Sequence, residues 1–339
     1  MSFSQKLVRW YLQHRRPLPW REHRNPYAIW LSEMILQQTR VEQGTPYYHQ
    51  FLERYPTLSD LAEAELDEVL HLWQGLGYYS RARNVHRAAQ HMHREWKGTW
   101  KTQPEDWLAL PGVGPYTAGA VASIAFGTRA VAVDGNVIRV LTRYFGYLEP
   151  VDRPSGVRAL VLLAESVLPE GDCGDHTQAL MELGSLVCTP KKPQCSVCPM
   201  SDGCQVAFQA KNAEDLPKKS NKTKVLAADW RRVLVRHAGR VMVYRRPESG
   251  IWAGLHDLPD SDDVRNWGMN PDSIKWQEPV VHLLSHRRLA LYFGHWEPAN
   301  PPAIKAPFQW INEADLDQLA WPAPLRRWLK KNATFDRVK

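Results

Sequence analysis

The chain has 339 residues, 44% of them hydrophobic, which exceeds one typical domain and suffices for two ordinary buried cores. No apolar run approaches the roughly 20 residues needed to span a bilayer, so a membrane-spanning helix is not expected. The net charge of +7 is uneven: residues 1–215 carry 22 basic and 23 acidic side chains, residues 216–228 four lysines and no acid, and residues 229–339 17 basic and 13 acidic. A nucleic-acid footprint in the first part must therefore be local.

The first segment, MSFSQKLVRWYLQHRR, has helical periodicity at Phe3, Leu7, Trp10 and Tyr11. It has no small-residue cleavage site, so no signal peptide is expected and the protein is read as soluble and intracellular. Asn25-Pro26 reads as an N-cap followed by proline at the first helical position, opening a helix through about Gln38. On that helix Glu33 shares a face with Ile29, Trp30 and Leu36. A carboxyl there is either desolvated, with a raised pKa and a proton available near neutrality, or held in an ion pair. Further helical patterns run from Thr57 to Leu72 and from Gly77 to Trp96.

Between Gly77 and Lys101 lie Arg81, Arg83, Arg87, Arg94, Lys97 and Lys101 against Glu95 alone, interleaved with Tyr78, Tyr79, Trp96 and Trp100. Such a stretch suits phosphate contacts and base stacking, or else a solvated helix face. Next, Leu110-Pro111-Gly112-Val113-Gly114-Pro115-Tyr116 separates helical segments at Pro104–Leu110 and Tyr116–Phe126. Gly112 and Gly114 allow a sharp turn, and the second helix begins with exposed amides that suit a phosphate. This is the pattern of a helix–hairpin–helix over about residues 105–126. Asp134 can cap a further helix, apolar at Val137, Val140, Leu141 and Tyr144.

Of five cysteines, four fall at Cys188, Cys195, Cys198 and Cys204, a C-x6-C-x2-C-x5-C run. Zinc sites usually show two close pairs, whereas four unevenly spaced thiolates on one loop (188–204) suit a 4Fe–4S cluster. Cys173 reads as a free thiol. The intervening Lys191 and Lys192 can meet phosphate, so the cluster is expected to act as a structural clip. The first part, 1–208, is thus read as all-α.

Residues 209–228 are polar and basic and read as a linker. Beyond them, 229–339 reads as an α+β domain. Arg231–Arg236 and Val241–Arg245 flank a hairpin turn at His237-Ala238-Gly239-Arg240. Strands are expected at Pro279–Leu284, Leu289–Trp296 and Phe308–Ile311, with a closing helix from about Glu313.

The helix–hairpin–helix, an aspartate about 20 residues after it in Val133-Asp134-Gly135-Asn136-Val137, and the cysteine run together resemble the endonuclease III superfamily of DNA glycosylases over residues 1–210. Within it, Ser32-Glu33-Met34-Ile35-Leu36-Gln37-Gln38-Thr39 and Gly75-Leu76-Gly77-Tyr78-Tyr79-Ser80-Arg81-Ala82-Arg83-Asn84 resemble the adenine DNA glycosylases of the MutY type. The resemblance implies that Glu33 protonates adenine at N7 and that Asp134 stabilises the sugar cation, through a transient adduct or without one. It implies that Tyr116 and Asn136 orient these groups. Trp20, Arg21, Leu36 and Gln178 become candidates for the adenine pocket. Gln38, Thr39, Leu76 and Tyr78 would wedge or contact the DNA, with Arg81, Arg83, Gly112 and Gly114 against its backbone. The four cysteines would hold a 4Fe–4S cluster.

Bifunctional members carry a lysine after the hairpin, where this chain has Tyr116, so strand cutting is not expected. Trp252-Ala253-Gly254-Leu255-His256-Asp257-Leu258-Pro259 resembles the start of the MutT/Nudix-like C-terminal domain. Ser261–Trp267 lacks the glutamate-rich metal helix of a Nudix hydrolase, so this domain is read as one that inspects a base. Leu284-Ser285-His286 stands in place of the family's Phe-Ser-His loop, which assigns Ser285 and His286 to 8-oxoguanine and leaves Leu284 as a departure. The implied partner is double-stranded DNA with adenine opposite 8-oxoguanine or guanine, bound by a monomer. The alternatives are a mismatch thymine glycosylase of the same superfamily and a non-enzymatic iron–sulfur DNA-binding module.

Overall fold

The computed structural model describes residues 1–209, 213–220, 225–284 and 287–333. Ser285 and His286 lie outside the described residues. The chain divides into two units, Met1–Glu63 with Asn84–Lys222, and Ala64–Arg83 with Thr223–Lys339.

The first unit is helical. Helix α1 (Phe3–His14) opens with a reciprocal cap between Ser2 and Gln5. Helix α2 (Pro26–Leu36) opens at Asn25, whose side chain accepts hydrogen bonds from the amides of Tyr27 and Ala28, with proline at the first position as its sequence requires. Every α2 residue from Tyr27 to Ile35 is buried. Helices α3 (Val41–Arg54) and α4 (Leu58–Glu63) follow. The single helix expected over Thr57–Leu72 is two, because the chain breaks at Ala64 and Glu65 before α5 (Leu66–Leu72) in the second unit. Helix α6 (Ser80–His91) starts three residues later than expected, because Gly77 and Tyr78 hold left-handed φ values of 74° and 48° that a helix cannot include. It runs on into a π turn at Met92–Trp96.

Helices α7 (Pro104–Leu108) and α8 (Pro115–Phe126) are the two arms of the hairpin. They are followed by α9 (Gly135–Tyr144), α10 (Pro154–Ser166) and α11 (Gly174–Leu186). Leu7, Trp10 and Tyr11 of α1 pack with Val137, Val140 and Leu141 of α9 and Leu180 and Leu183 of α11. Individual bounds for α3, α10 and α11 were not evident in the sequence. Part of the expected linker packs as well: Ala213 and Leu216 are buried against Val206, and Ser220 bonds Asp152 through its amide and hydroxyl.

In the second unit the strands are β1 (Leu226–His237), β2 (Arg240–Arg245), β3 (His256–Asp257), β4 (Val280–Leu283), β5 (Arg287–Trp296) and β6 (Phe308–Asn312). They form one mixed sheet in the order β3-β2-β1-β5-β4, with β6 also paired to β2. β1 runs parallel to β5, and the other pairs are antiparallel. The β1–β2 turn has positive φ at Ala238 (49°) and Gly239 (73°), the two-residue turn whose twist matches the flanking strands. β3 and helix α12 (Ser261–Asn266) went unread, since two residues and six leave little periodic signal. The closing segment is a 3-10 turn at Glu313–Gln318 and then α13 (Ala323–Asn332). Leu234, Val243, Phe293, Trp321 and Leu325 form its core. Among the described residues no helix is long and apolar enough to cross a membrane.

Candidate active site

Glu33 points from buried α2 to the start of α8, where the Tyr116 hydroxyl donates to its Oε2 at 2.6 Å. Tyr116 also approaches Met181 Sδ of α11 at 3.7 Å. Burial raises the Glu33 carboxyl to about 7; the Tyr116 bond and Arg21 oppose this, and the charge of Asp134 adds to it. Burial, with the Glu33 and Asp134 carboxylates beside it, holds the Tyr116 phenol well above its ordinary range.

Asp134 is the N-cap of α9. Its Oδ1 accepts from the Val137 amide at 2.7 Å and its Oδ2 from Asn136 Nδ2 at 2.8 Å. Burial raises this carboxyl too, against those two bonds and the charge of Arg139. Arg139 bonds Asn136 Oδ1 at 2.8 Å and the carbonyls of Gly184 and Cys188, which fixes the cap from behind. Glu33, Tyr116 and Asp134 line one cavity of about 490 Å3 together with Leu36, Gln38, Gly112 and Gly114. That size falls within the roughly 300–1,000 Å3 usual for ligand pockets.

Gly112 takes φ 76°, and a Cβ there would meet the Asn84 side chain at 2.7 Å, so the turn demands glycine. Gly114 has open space where a Cβ would point, and as N-cap of α8 it supplies no side-chain cap, leaving the first amides for an anion. Gln37 steadies the turn by donating to the Gly112 carbonyl at 3.3 Å and Thr117 Oγ1 at 3.1 Å. Gln38 has φ 55°, a strained conformation for such a side chain at the cavity edge.

Cys188, Cys195, Cys198 and Cys204 line a second cavity, closed by Val187, Val206 and Ala213. Arg143 is buried beside it and donates to Cys188 Sγ at 3.4 Å and to the carbonyls of Thr189 and Pro190. Burial and the three neighbouring sulfurs push the Cys198 thiol up to about 11. Four thiolates can coexist here only around a cationic group, and the apolar walls keep water from it. Four thiols around one apolar cavity fit a 4Fe–4S cluster, which takes one thiolate per iron.

Residues 31–161 match the HhH-GPD superfamily base excision DNA repair protein, 188–204 the iron-sulfur binding domain of endonuclease III, and 232–331 the NUDIX domain. Over 99% of the chain and 98% of the relative, it is 30% identical to the adenine DNA glycosylase of Buchnera aphidicola subsp. Baizongia pistaciae. It is 32% identical to that of Homo sapiens, over 96% of the chain and 73% of the relative. The chain belongs to the adenine DNA glycosylase family. Members are DNA N-glycosylases, and the loop 188–204 is the site of their 4Fe–4S cluster.

A solved thermostable thymine-DNA glycosylase is similar over 61% of the chain and 95% of its own, with 32% identity and TM-score 0.56. An endonuclease III–DNA complex shares the fold, at 24% identity and TM-score 0.52, covering 61% of the chain and 94% of its own.

Several expected site residues stand elsewhere. Arg81 and Arg83, expected against DNA phosphates, are buried. Arg81 donates to the carbonyls of Leu76 and Gly77 and lies over the rings of Trp73 and Tyr78, and burial lowers its pKa to about 10. Arg83 donates to the Ala253 carbonyl. Both serve as internal ties, because a guanidinium can satisfy several carbonyls that a buried turn leaves open. Trp100 stacks on Trp107 and both meet Trp96 edge to face, so these rings pack on one another rather than standing free for bases. Arg87, Lys97 and Lys101 remain exposed.

In the second unit, Leu76 and Tyr78 line a groove of about 730 Å3 with Trp230, Trp252, His282 and Leu284. Leu76 is buried, Tyr78 is 46% exposed, and Trp252 carries φ 56°. Trp20 is buried against Tyr48, Thr39 is half-buried, and Gln178 is half-buried on α11; none of the three lines the cavity of Glu33. Arg21 does not line it either, though its charge acts on Glu33. Gln37, Arg139, Met181 and Glu182 were missed. The one signal for Glu182 was its place one helical turn after Gln178.

Proposed function

We propose that the chain excises adenine from double-stranded DNA in base excision repair, acting on adenine opposite 8-oxoguanine or guanine. One observation carries this reading: a buried carboxyl raised to about 7, hydrogen-bonded to Tyr116 and sharing a cavity with a second, capped carboxylate.

Cleaving an N-glycosidic bond leaves a cationic sugar, and adenine departs poorly unless protonated. Glu33, about half protonated at neutrality, gives its proton to N7 of a flipped adenine. The C1′–N9 bond then breaks, and its electron pair leaves with the base. Asp134, held by Val137 and Asn136, faces the sugar cation as a carboxylate. Glu33, now ionised, takes a proton from water as that water adds to C1′. A course in which Asp134 first adds to C1′ uses the same groups. Two carboxyls in one cavity with different hydrogen bonds suit an acid and an anion.

Tyr116 has no amine to form a Schiff base, so the product is an abasic site without prompt strand cutting. Cys188, Cys195, Cys198 and Cys204 would hold the cluster, which when bound would cross-link through these four thiolates the loop that carries Lys191 and Lys192. The helix α8 amides and that loop suit the DNA backbone.

The groove at Tyr78 and Trp252 includes Leu284, the residue that precedes Ser285 and His286 in the chain, and this sequence position supports reading those two as contacts to 8-oxoguanine. In α12 the acids are used locally. Asp260 caps the amides of Asp262 and Asp263, Asp263 returns a bond to the Asp260 amide, and Asp262 pairs with Arg265. This supports a domain that inspects a base and does not hydrolyse nucleotides. The similarity to the thymine-DNA glycosylase favours a second reading, removal of mismatched thymine, but that similarity covers only 61% of the chain.

The test is base release from duplexes with 8-oxoguanine·A, G·A and G·T pairs by wild type and Glu33→Gln. Release of adenine by wild type and its loss in the variant are expected. Release from G·T alone, or undiminished release by the variant, overturns the reading.

A further inference from the structure

Glu182 is a fully buried carboxylate that the chemistry above does not use. Both its oxygens are taken. Oε1 accepts from the Arg16 amide at 2.8 Å, Arg16 Nε at 3.1 Å and Arg21 Nη1 at 2.9 Å. Oε2 accepts from Arg16 Nη2 at 2.7 Å and Arg21 Nη2 at 2.9 Å. Arg21 is thus gripped by two parallel bonds, the geometry in which a guanidinium loses its freedom to turn. Its charge also lies 5.4 Å over the Tyr11 ring, and its side chain is 8% exposed.

Burial works against the ionised Glu182, but the bonds from Arg21 and Arg16 outweigh it and hold the carboxyl down to about 2. The neighbouring residue Met181 touches Tyr116, so α11 reaches both the partner of Glu33 and the anchor of Arg21.

Arg21 is a cation that acts on an acid whose work requires a proton. With Arg16 and Glu182 it forms a cluster of two positive charges and one negative. The other groups facing Glu33 are Tyr116 from α8 and Asp134 at the head of α9, itself facing Arg139. Those facing the cluster are Tyr11 of α1, Arg15 just beyond its end, Glu42 of α3 and Asp175 of α11. None of these is placed to grip Arg21 as Glu182 does.

We infer that Glu182 is a positioning residue for base excision, fixing the Arg21 fork and shielding Glu33 from the guanidinium charge. This rests on the reading of Glu33 as the acid. A buried ion pair is weak evidence for a stabilising role, so the effect is sought in the chemistry.

The test is single-turnover base release from an 8-oxoguanine·A duplex under saturating enzyme, as a function of pH, with the cluster-loaded full chain. The protonated acid is the active form, so the rate falls as pH rises through its midpoint. Glu182→Gln leaves two unopposed cations, and that midpoint is expected to drop by about one pH unit. Arg21→Gln, which leaves Glu182 paired with Arg16, is expected to raise it. The double variant restores the wild-type net charge of the cluster and is expected to return the midpoint near wild type, whatever its plateau rate. Glu182→Asp keeps the charge with a shorter reach, and should hold the midpoint while lowering the plateau.

A midpoint unmoved in Glu182→Gln, or moved equally in the double variant, overturns the proposal. If Glu182→Gln does not fold, as judged by the visible absorption of the cluster, an Arg21→Gln midpoint at or below wild type overturns it. Failure of the underlying reading looks different: wild type then shows no alkaline fall that Glu33→Gln abolishes.

Discussion

Tyr116 donates to Glu33 across 2.6 Å, from the second residue of α8 to a buried carboxyl of α2. The hairpin that presents α8 thereby also sets the acid's partner. This bond favours the ionised carboxyl and so works against the burial that raises it. Tyr116→Phe is expected to move the alkaline fall of base release upward by up to about one pH unit. The plateau rate should fall about tenfold or more as Glu33 loses its orienting partner. A pH–rate profile under single turnover checks both.

Stability should also report the raised acid. Glu33 titrates near 7 in the folded chain, against an ordinary 4.5. Stability is therefore full below about 4.5 and lost as pH rises through 7, because ionisation favours the unfolded chain. Glu33→Gln removes that loss. Near pH 8 it is expected to be more stable than wild type by about 3 kcal/mol, with little difference near pH 4. Denaturant titration at the two pH values measures this; an equal effect at both contradicts it.

Asp134 combines two jobs that substitution can separate. Asn at this position can still accept from the Val137 amide, so Asp134→Asn should keep stability within about 1 kcal/mol. Without the negative charge, base release should fall about 100-fold to 1,000-fold. Asp134→Ala is expected to lose the activity and about 1 kcal/mol of stability besides. Melting curves and turnover on the same samples distinguish the two.

At the hairpin, Gly112→Ala meets both a left-handed φ and the Asn84 side chain. A cost of about 1–2 kcal/mol from the backbone alone is expected, with weaker DNA binding. Adding Asn84→Ala should recover only the steric part. Full recovery would show that the backbone conformation carries no strain.

Cys198→Ser should lose iron, visible in the absorption spectrum. The loop from Cys188 to Cys204 is then left to hydrogen bonds such as those from Arg143 to Thr189 and Pro190, from Arg139 to Cys188 and from the Lys192 amide to Glu214. Lower melting and weaker, more salt-sensitive DNA binding are expected. Undiminished binding without iron would contradict the clip.

The chemistry was legible where a local pattern demands a residue type. Asn25-Pro26, Gly112, Asp134 and the four cysteines each answer a short-range requirement: a cap, a left-handed turn, or ligands within reach on one loop. The β1–β2 hairpin was legible for the same reason, since Ala238 and Gly239 both sit at positive φ. Arg81 and Arg83 show the opposite. Basic residues among aromatics look alike whether they meet phosphate or carbonyls, and only the packing of Leu76, Gly77 and Ala253 around them decided for carbonyls. β3 was illegible because a two-residue strand exists only through its partner β2.

By itself, then, the sequence determined that Glu33 lies on an apolar helix and that Asp134 heads another, because helix caps and periodicity are local. The tertiary structure decided what surrounds them. Tyr116 comes to Glu33 from 83 residues away, and Glu182 to Arg21 from 161. Whether a buried carboxyl keeps its proton or gives it up depends on such neighbours, and no spacing along the chain records them.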